Sequence, residues 1–178
     1  MKTLTLLRHA KSGWDDPVAR DFDRPLNAKG ARAATAIGQR MRASGMAFDH
    51  VVASPAQRVI ETVQHLTVGY GRAIEPAWDR RLYLASPAML IDLIHALPED
   101  ADRVLLIGHN PGLEELVLLL VADRAEDALR HEVAIKYPTA SIAELAIGDS
   151  WALLLPGAAR LTRFIRPRDL DPSLGPDS

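Results

Sequence analysis

Arg8 and His9 stand side by side at the end of an apolar run, TLTLL, residues 3–7. The same two residue types return further along, as Arg58 shortly after a Ser54-Pro55 pair and as His109 at the close of RVLLIGH, residues 103–109. Two arginines and two histidines suit phosphoryl chemistry. Guanidinium forks match the oxygens of a tetrahedral dianion. An imidazole can attack phosphorus in line if the attacking nitrogen is unprotonated, which requires the other nitrogen to donate, for instance to a backbone carbonyl. On this reading His9 is the nucleophile and carries a phosphohistidine intermediate that water then hydrolyses. Arg8 and Arg58 hold the phosphoryl oxygens, and His109 adds a further donor to the charge on the transferring group. The arginines supply the positive charge, so the reading calls for no metal and no cofactor.

These side chains work together only if the chain brings them to one place. TLTLL, FDHVVAS (48–54) and RVLLIGH read as strands, the last a central one because its apolar run is continuous. AKGARAATAIGQRMRASG (28–45), SPAQRVIETVQHL (54–66), SPAMLIDLIHAL (86–97) and NPGLEELVLLLVAD (110–123) read as helices. Ser54 is expected as an N-cap with Pro55 at the first helical position, and Ser86-Pro87 repeats that start. AIEPAW (73–78), SIAELAI (141–147), WALLLPG (151–157) and ARLTRFI (159–165) read as further strands, and GWDDPVARDFDRPLN (13–27) as a loop. Strands alternating with helices predict an α/β fold with a mainly parallel sheet and helices on both faces, and the close-set final strands predict an antiparallel edge. Ligands of open α/β sheets gather outside the carboxyl ends of the strands. Three of those ends deliver Arg8-His9, Ser54 with Arg58 in the next helix, and His109. The helix N-termini there add free N–H groups and partial positive charge.

Composition sets the outer limits. The 178 residues suffice for one domain, expected over 1–168, with a frayed Pro/Asp/Ser-rich tail over 169–178. Net charge is −2 with the signs mixed, which disfavours a nucleic-acid or membrane-surface protein. The absence of cysteine excludes disulfides, thiol catalysis and cysteine-ligated metals. The N-terminus lacks a signal-peptide pattern and no apolar run approaches a bilayer span, so the expected location is the cytoplasm.

Arg8-His9-Ala10 resembles the RHG signature of the histidine phosphatase superfamily, the phosphoglycerate-mutase-like group, and the Lys-Ser-Gly-Trp that follows resembles the mutase continuation. DFDRPLNAKG (21–30), VVASPAQRVIETV (51–63), LLIGHNPGL (105–113) and KYPTAS (136–141) resemble further family segments in the family's order. The similarity spans residues 2–168 and is greatest to the short SixA-type phosphohistidine phosphatases. It implies a three-layer α/β/α sandwich, His9 as nucleophile, a phosphate pocket of Arg8, Arg58 and His109, and Ser12 at a position that often touches phosphate.

The chain departs from the family pattern in places. Ala10 replaces the signature glycine. Asp15 stands where mutases carry a phosphate-binding asparagine. Arg80 stands where mutases carry their acidic glutamate, which leaves the adjacent Asp79 as the candidate general acid, with Asp15, Asp16 and Asp21 as other carboxylates near the site in sequence. An alkyl phosphate needs its leaving oxygen protonated in many mechanisms. Phosphohistidine does not, because its imidazole leaves readily once protonated. The lack of a firm acid and the short chain, with little length for a lid, therefore favour phosphohistidine on a protein. The alternatives are a phosphatase or mutase of a small phosphorylated metabolite and a non-catalytic binder of phosphorylated partners. The plainest reading of Arg8 and His9 is a strand-end charge and a satisfied histidine, and Arg58 alone reads as a surface residue paired with Glu61 or Glu115. His50, His65, His95 and His131 carry no assigned function.

Overall fold

The computed structural model describes residues 1–13 and 20–175. Two strands form its centre, β1 (Lys2–Arg8) and β4 (Arg103–Gly108). They are buried on both faces, which is why both read as nearly continuous apolar runs. Leu4, Leu6, Val104 and Leu106 pack into one core. Leu7, Leu105 and Ile107 point the opposite way into a second. The sheet has six strands in the order β3-β2-β4-β1-β5-β6. β2 (His50–Ala53) and β3 (Ala77–Trp78) extend it in parallel from β4. β5 (Ile142–Ile147) runs antiparallel beside β1, and β6 (Arg160–Ile165) antiparallel beside β5. This is the expected mainly parallel sheet with antiparallel pairing at one side.

Helices α1 (Ala28–Ala43) and α2 (Gln57–Tyr70) cover the Leu7 face. Helices α3 (Pro87–His95) and α4 (Gly112–Leu120) cover the Leu4 face, joined by α5 (Ala128–Ile135). The result is the expected three-layer α/β/α sandwich. α1 and α2 touch backbone to backbone. A Cβ on Gly38 would collide with the Leu66 carbonyl oxygen, and one on Gly69 with the Thr35 carbonyl oxygen. That contact sets the spacing of α2, which carries Arg58, from α1.

Register sets the site. Arg8 lies opposite Gly108 across β1 and β4, and Ala53 opposite Ile107 across β2 and β4. The residues that follow these strands, His9, Ser54 and His109, therefore emerge together at one edge of the sheet.

The structure corrects several expectations. α2 starts at Gln57 with Ala56 at its cap, so Ser54 is not the N-cap and Pro55 not the first helical residue. Ser54 is drawn instead to a partner on the β4 side, described below. Ser86-Pro87 does start α3 as expected, the Ser86 hydroxyl accepting from the Met89 N–H. WALLLPG forms turns, not a strand. Trp151 is fully buried and its indole donates to the Ala101 carbonyl at 2.7 Å, while Leu153 and Leu155 face outward. AIEPAW contributes only Ala77–Trp78. α5 is an addition to the expected elements, since the sequence reading ends the preceding helix at residue 123 and places no helix or strand before 141. The segment expected to fray instead forms α6 (Pro167–Leu170) and a 3-10 turn at Pro172–Leu174, because Leu170 and Leu174 pack against the α1–α2 core.

Candidate active site

β1 ends at Arg8, and its direction carries His9 to the carboxyl edge of the sheet. The His9 N–H donates to Gly108 O at 3.0 Å, which ties this residue to β4. Its ring Nδ1 lies 2.7 Å from the carbonyl oxygen of Ala10. A carbonyl only accepts, so Nδ1 carries the proton and Nε2 presents its lone pair. The Ala10 peptide is itself held from α2: its N–H donates to Thr62 Oγ1 at 2.9 Å, and that hydroxyl donates to the Arg58 carbonyl at 2.6 Å.

Arg58 is buried in the first turn of α2 and its guanidinium reaches His9, His109 and Asp21 at once. Nε donates toward His9 Nε2 at 3.4 Å, and Nη2 lies 3.4 Å from His109 Nδ1. Nη1 donates to the Asp21 carbonyl at 2.6 Å, and Nη2 to the Asp21 carboxylate at 3.1 Å. The Tyr83 hydroxyl donates to the same carboxylate. Arg58 faces Asp21 from the 3-10 turn Asp21–Asp23, not Glu61 or Glu115.

His109 follows β4. Its Nδ1 faces Arg58, which has only donors, so Nδ1 accepts and Nε2 carries the proton. Nε2 donates to Ser54 Oγ at 2.8 Å. The rings of His9 and His109 lie 5.2 Å apart between centroids, and Tyr83 meets His109 edge-on at 5.4 Å. Arg8 donates from Nη1 to the Tyr137 carbonyl at 2.9 Å, and its buried Nε has no protein partner. Asn110 donates to that same carbonyl at 3.0 Å and accepts from the Glu114 N–H in the first turn of α4.

Electrostatics follow from this crowding. Burial, then nearby His109, Arg8 and Arg58, hold His9 well below the usual imidazole range, although the Ala10 carbonyl pulls it the other way. Burial and the positive charge of Arg58 lower His109 to about 3. Both imidazoles are therefore neutral near pH 7. Burial works to raise Asp21, but the Tyr83 hydroxyl, Arg58 and Arg24 outweigh it and leave the carboxyl at about 2.

The structure thus joins His9, Arg58 and His109 directly and sets Arg8 beside them at the end of β1. It does not bring in every expected residue. The Ser12 hydroxyl donates to the Pro25 carbonyl at 2.7 Å, so contact with a phosphoryl group requires that hydroxyl to turn. The Asp79 carboxylate is bound by Arg81 at 2.7 Å and 3.1 Å and caps the 3-10 turn Arg80–Leu82. Arg81 holds it below the usual carboxylate range, the reverse of what a general acid needs. Trp14, Asp15 and Asp16 lie outside the described residues. Sequence reasoning brought Ser54 to this edge but read it as a helix cap, and it missed Thr62 and Tyr83 as site groups. The place of Ser54 at a strand's carboxyl end was a usable signal. Thr62 and Tyr83 carried none, because only folding apposes them to Ala10 and Asp21.

Comparison with known proteins identifies the family. The family model for the histidine phosphatase superfamily (branch 1) matches residues 4–82. An uncharacterized protein of Mycobacterium tuberculosis (strain ATCC 25618 / H37Rv) is 35% identical over 164 residues, covering 91% of this chain and 100% of the relative. Two solved structures, each of a candidate phosphohistidine phosphatase SixA, are similar over nearly their whole length. The one from Nakamurella multipartitia has a TM-score of 0.79 at 33% identity, covering 93% of this chain and 96% of the other. The one from Agrobacterium tumefaciens has a TM-score of 0.76 at 29% identity, covering 93% and 98%. The chain belongs to the histidine phosphatase superfamily. It is a hydrolase with a SixA-like fold, and 1–82, the half of the chain holding Arg8, His9 and Arg58, contains the family match.

Proposed function

We propose that this histidine phosphatase removes phosphate from phosphohistidine borne on a protein, through a phosphohistidine intermediate on His9. The observation that carries the reading is the 2.7 Å contact from His9 Nδ1 to the Ala10 carbonyl, which leaves Nε2 unprotonated at the site's arginine. His9 Nε2 forms a bond to phosphorus as the bond to the substrate imidazole breaks. Once the second nitrogen of that substrate imidazole is protonated, it departs as neutral imidazole, so the protein need not supply the proton. Water then attacks phosphorus, the bond to Nε2 breaks, and phosphate leaves with His9 restored. Arg8 and Arg58 face the charge on the phosphoryl oxygens, and His109 becomes a donor to them on protonation.

The state of the carboxylates supports a labile phosphoramidate over an alkyl ester. Asp79 is engaged by Arg81 and Asp21 by Arg58 and Tyr83, and both are held ionised.

The test is a rate comparison in EDTA among a phosphohistidine-bearing protein, an aryl phosphate and a panel of alkyl phosphates, each repeated with His9→Ala. Fast, His9-dependent loss of phosphate from phosphohistidine with slow alkyl turnover is the expected result. Comparable or faster turnover of an alkyl phosphate overturns it in favour of metabolite chemistry. Phosphate binding with no turnover of any substrate makes the chain a binding module.

A further inference from the structure

Ser54 lies just past the end of β2, fully buried, and its hydroxyl oxygen meets two donors. The Ala56 N–H reaches Oγ at 3.3 Å, and His109 Nε2 reaches it at the shorter distance of 2.8 Å. Backbone pairing fixes the serine beside the histidine: the Ser54 N–H donates to the Ile107 carbonyl at 3.1 Å, next to the end of β4 from which His109 emerges. A hydroxyl has two lone pairs, so it accepts both donors at once. Neutral His109 therefore gives its only N–H to Ser54 and turns a bare Nδ1 to Arg58 Nη2, 3.4 Å away.

In that state Nδ1 has nothing to donate to a phosphoryl oxygen. Once protonated, the ring donates from both nitrogens, and Ser54 remains the acceptor at Nε2. The charges around the ring decide when that happens. Arg58 from α2 and Arg8 from β1 oppose another cation, while Asp21 from the 3-10 turn favours one. The neighbouring rings of His9 and Tyr83 are neutral near pH 7. A dianion seated against Arg58 and His109 reverses this balance, because it takes hydrogen bonds from both. By linkage the proton and the anion then each strengthen the binding of the other.

We propose that Ser54 is a positioning residue that holds His109 by Nε2, so that Nδ1 takes a proton from solvent as a phosphoryl group enters and returns it as phosphate leaves. The inference rests on the phosphoryl site proposed above and is independent of which phosphorylated molecule that site serves. It gives His109 a donor when the transferring group is present, and leaves it neutral, with no third cation beside Arg8 and Arg58, when the site is free.

The test is titration calorimetry with tungstate near pH 7, repeated in buffers of different ionisation heat, which counts the protons exchanged on binding. Tungstate is a tetrahedral dianion there and brings no proton of its own. Wild type, Ser54→Ala and His109→Gln are each taken to saturation. Wild type is expected to take up close to one proton, and His109→Gln none. Ser54→Ala removes only a hydroxyl and is expected to take up far less, with tungstate bound about ten-fold more weakly. Its binding of tungstate also reports a folded pocket. Nitrogen-15 NMR of the complexes should show both His109 nitrogens protonated in wild type and a neutral ring in Ser54→Ala. Tungstate bound by wild type without proton uptake overturns the inference, as does a spectrum with Nδ1 protonated and Nε2 bare, which makes Ser54 the donor. Uptake that survives in His109→Gln assigns the proton to another group, and uptake undiminished in Ser54→Ala removes the role of the serine, so either result also overturns it. If wild type binds no tungstate at all, it is the phosphoryl site itself that fails.

Discussion

Thr62 and Ala10 are joined by a 2.9 Å hydrogen bond from the Ala10 amide to the Thr62 hydroxyl, and through it α2 fixes the peptide that orients His9. The same hydroxyl donates to the carbonyl of Arg58, one turn earlier in α2. One buried side chain therefore couples the two groups that meet at the phosphoryl site. Thr62→Val keeps the shape and removes both bonds. It leaves the Ala10 N–H buried without a partner, which costs about 1–3 kcal/mol of stability. The expected kinetic result is a fall in kcat with little change in KM, because the imidazole is misaligned while the arginines remain. Steady-state kinetics with a chemical-denaturation curve check both parts.

Removing the nucleophile separates chemistry from binding. His9→Ala is expected to abolish turnover while vanadate still binds, measured by calorimetry. Arg58→Lys keeps the charge and loses the fork that reaches His9, His109 and Asp21 at once. Its expected cost is roughly 2.7–4 kcal/mol in the barrier, the range for losing one charge-stabilising donor. A lysine variant with wild-type kcat/KM contradicts the role given to the fork.

Stability should depend on pH through the two neutral histidines. His109 titrates at about 3 in the fold against a usual 6.5, and His9 is shifted the same way. Between those values the unfolded chain binds more protons than the native one, so stability rises with pH. The contribution is complete above about 6.5 and is lost as pH falls toward 3, at no more than about 1.4 kcal/mol per pH unit for each group. Asp21 acts with the same sign lower down, its stabilisation present above 3.8 and lost as pH falls through about 2. Urea denaturation across the acid range should show this slope, and His109→Gln should flatten it.

The contact between α1 and α2 offers a test remote from the chemistry. Gly69→Ala places a methyl against the Thr35 carbonyl oxygen, and the helices must part to admit it. The expected loss is about 1–3 kcal/mol, as for overpacking generally. Because α2 carries Arg58 and Thr62, the surviving folded protein should also show lower kcat. Thermal unfolding and kinetics on the same preparation check the link.

The sequence by itself determined the layered α/β fold and the residues that meet at its edge. Continuous apolar runs mark strands buried on both faces, and Arg8, His9 and His109 stand at the ends of two such runs. Local patterns reached their limit where pairing across the fold decides the outcome. Ser54-Pro55 fits a helix start, but the Ser54 hydroxyl goes to His109, a partner 55 residues away that no local pattern reveals. WALLLPG reads as an apolar strand, yet Trp151 anchors it as turns on the Ala101 carbonyl. Leu170 and Leu174 look like part of a polar tail until α1 supplies the surface they cover. Tertiary structure alone also decided the charges. Asp21, Tyr83 and Arg58 come from three separate segments, and their apposition, together with burial of the two imidazoles, sets which groups in the site hold protons.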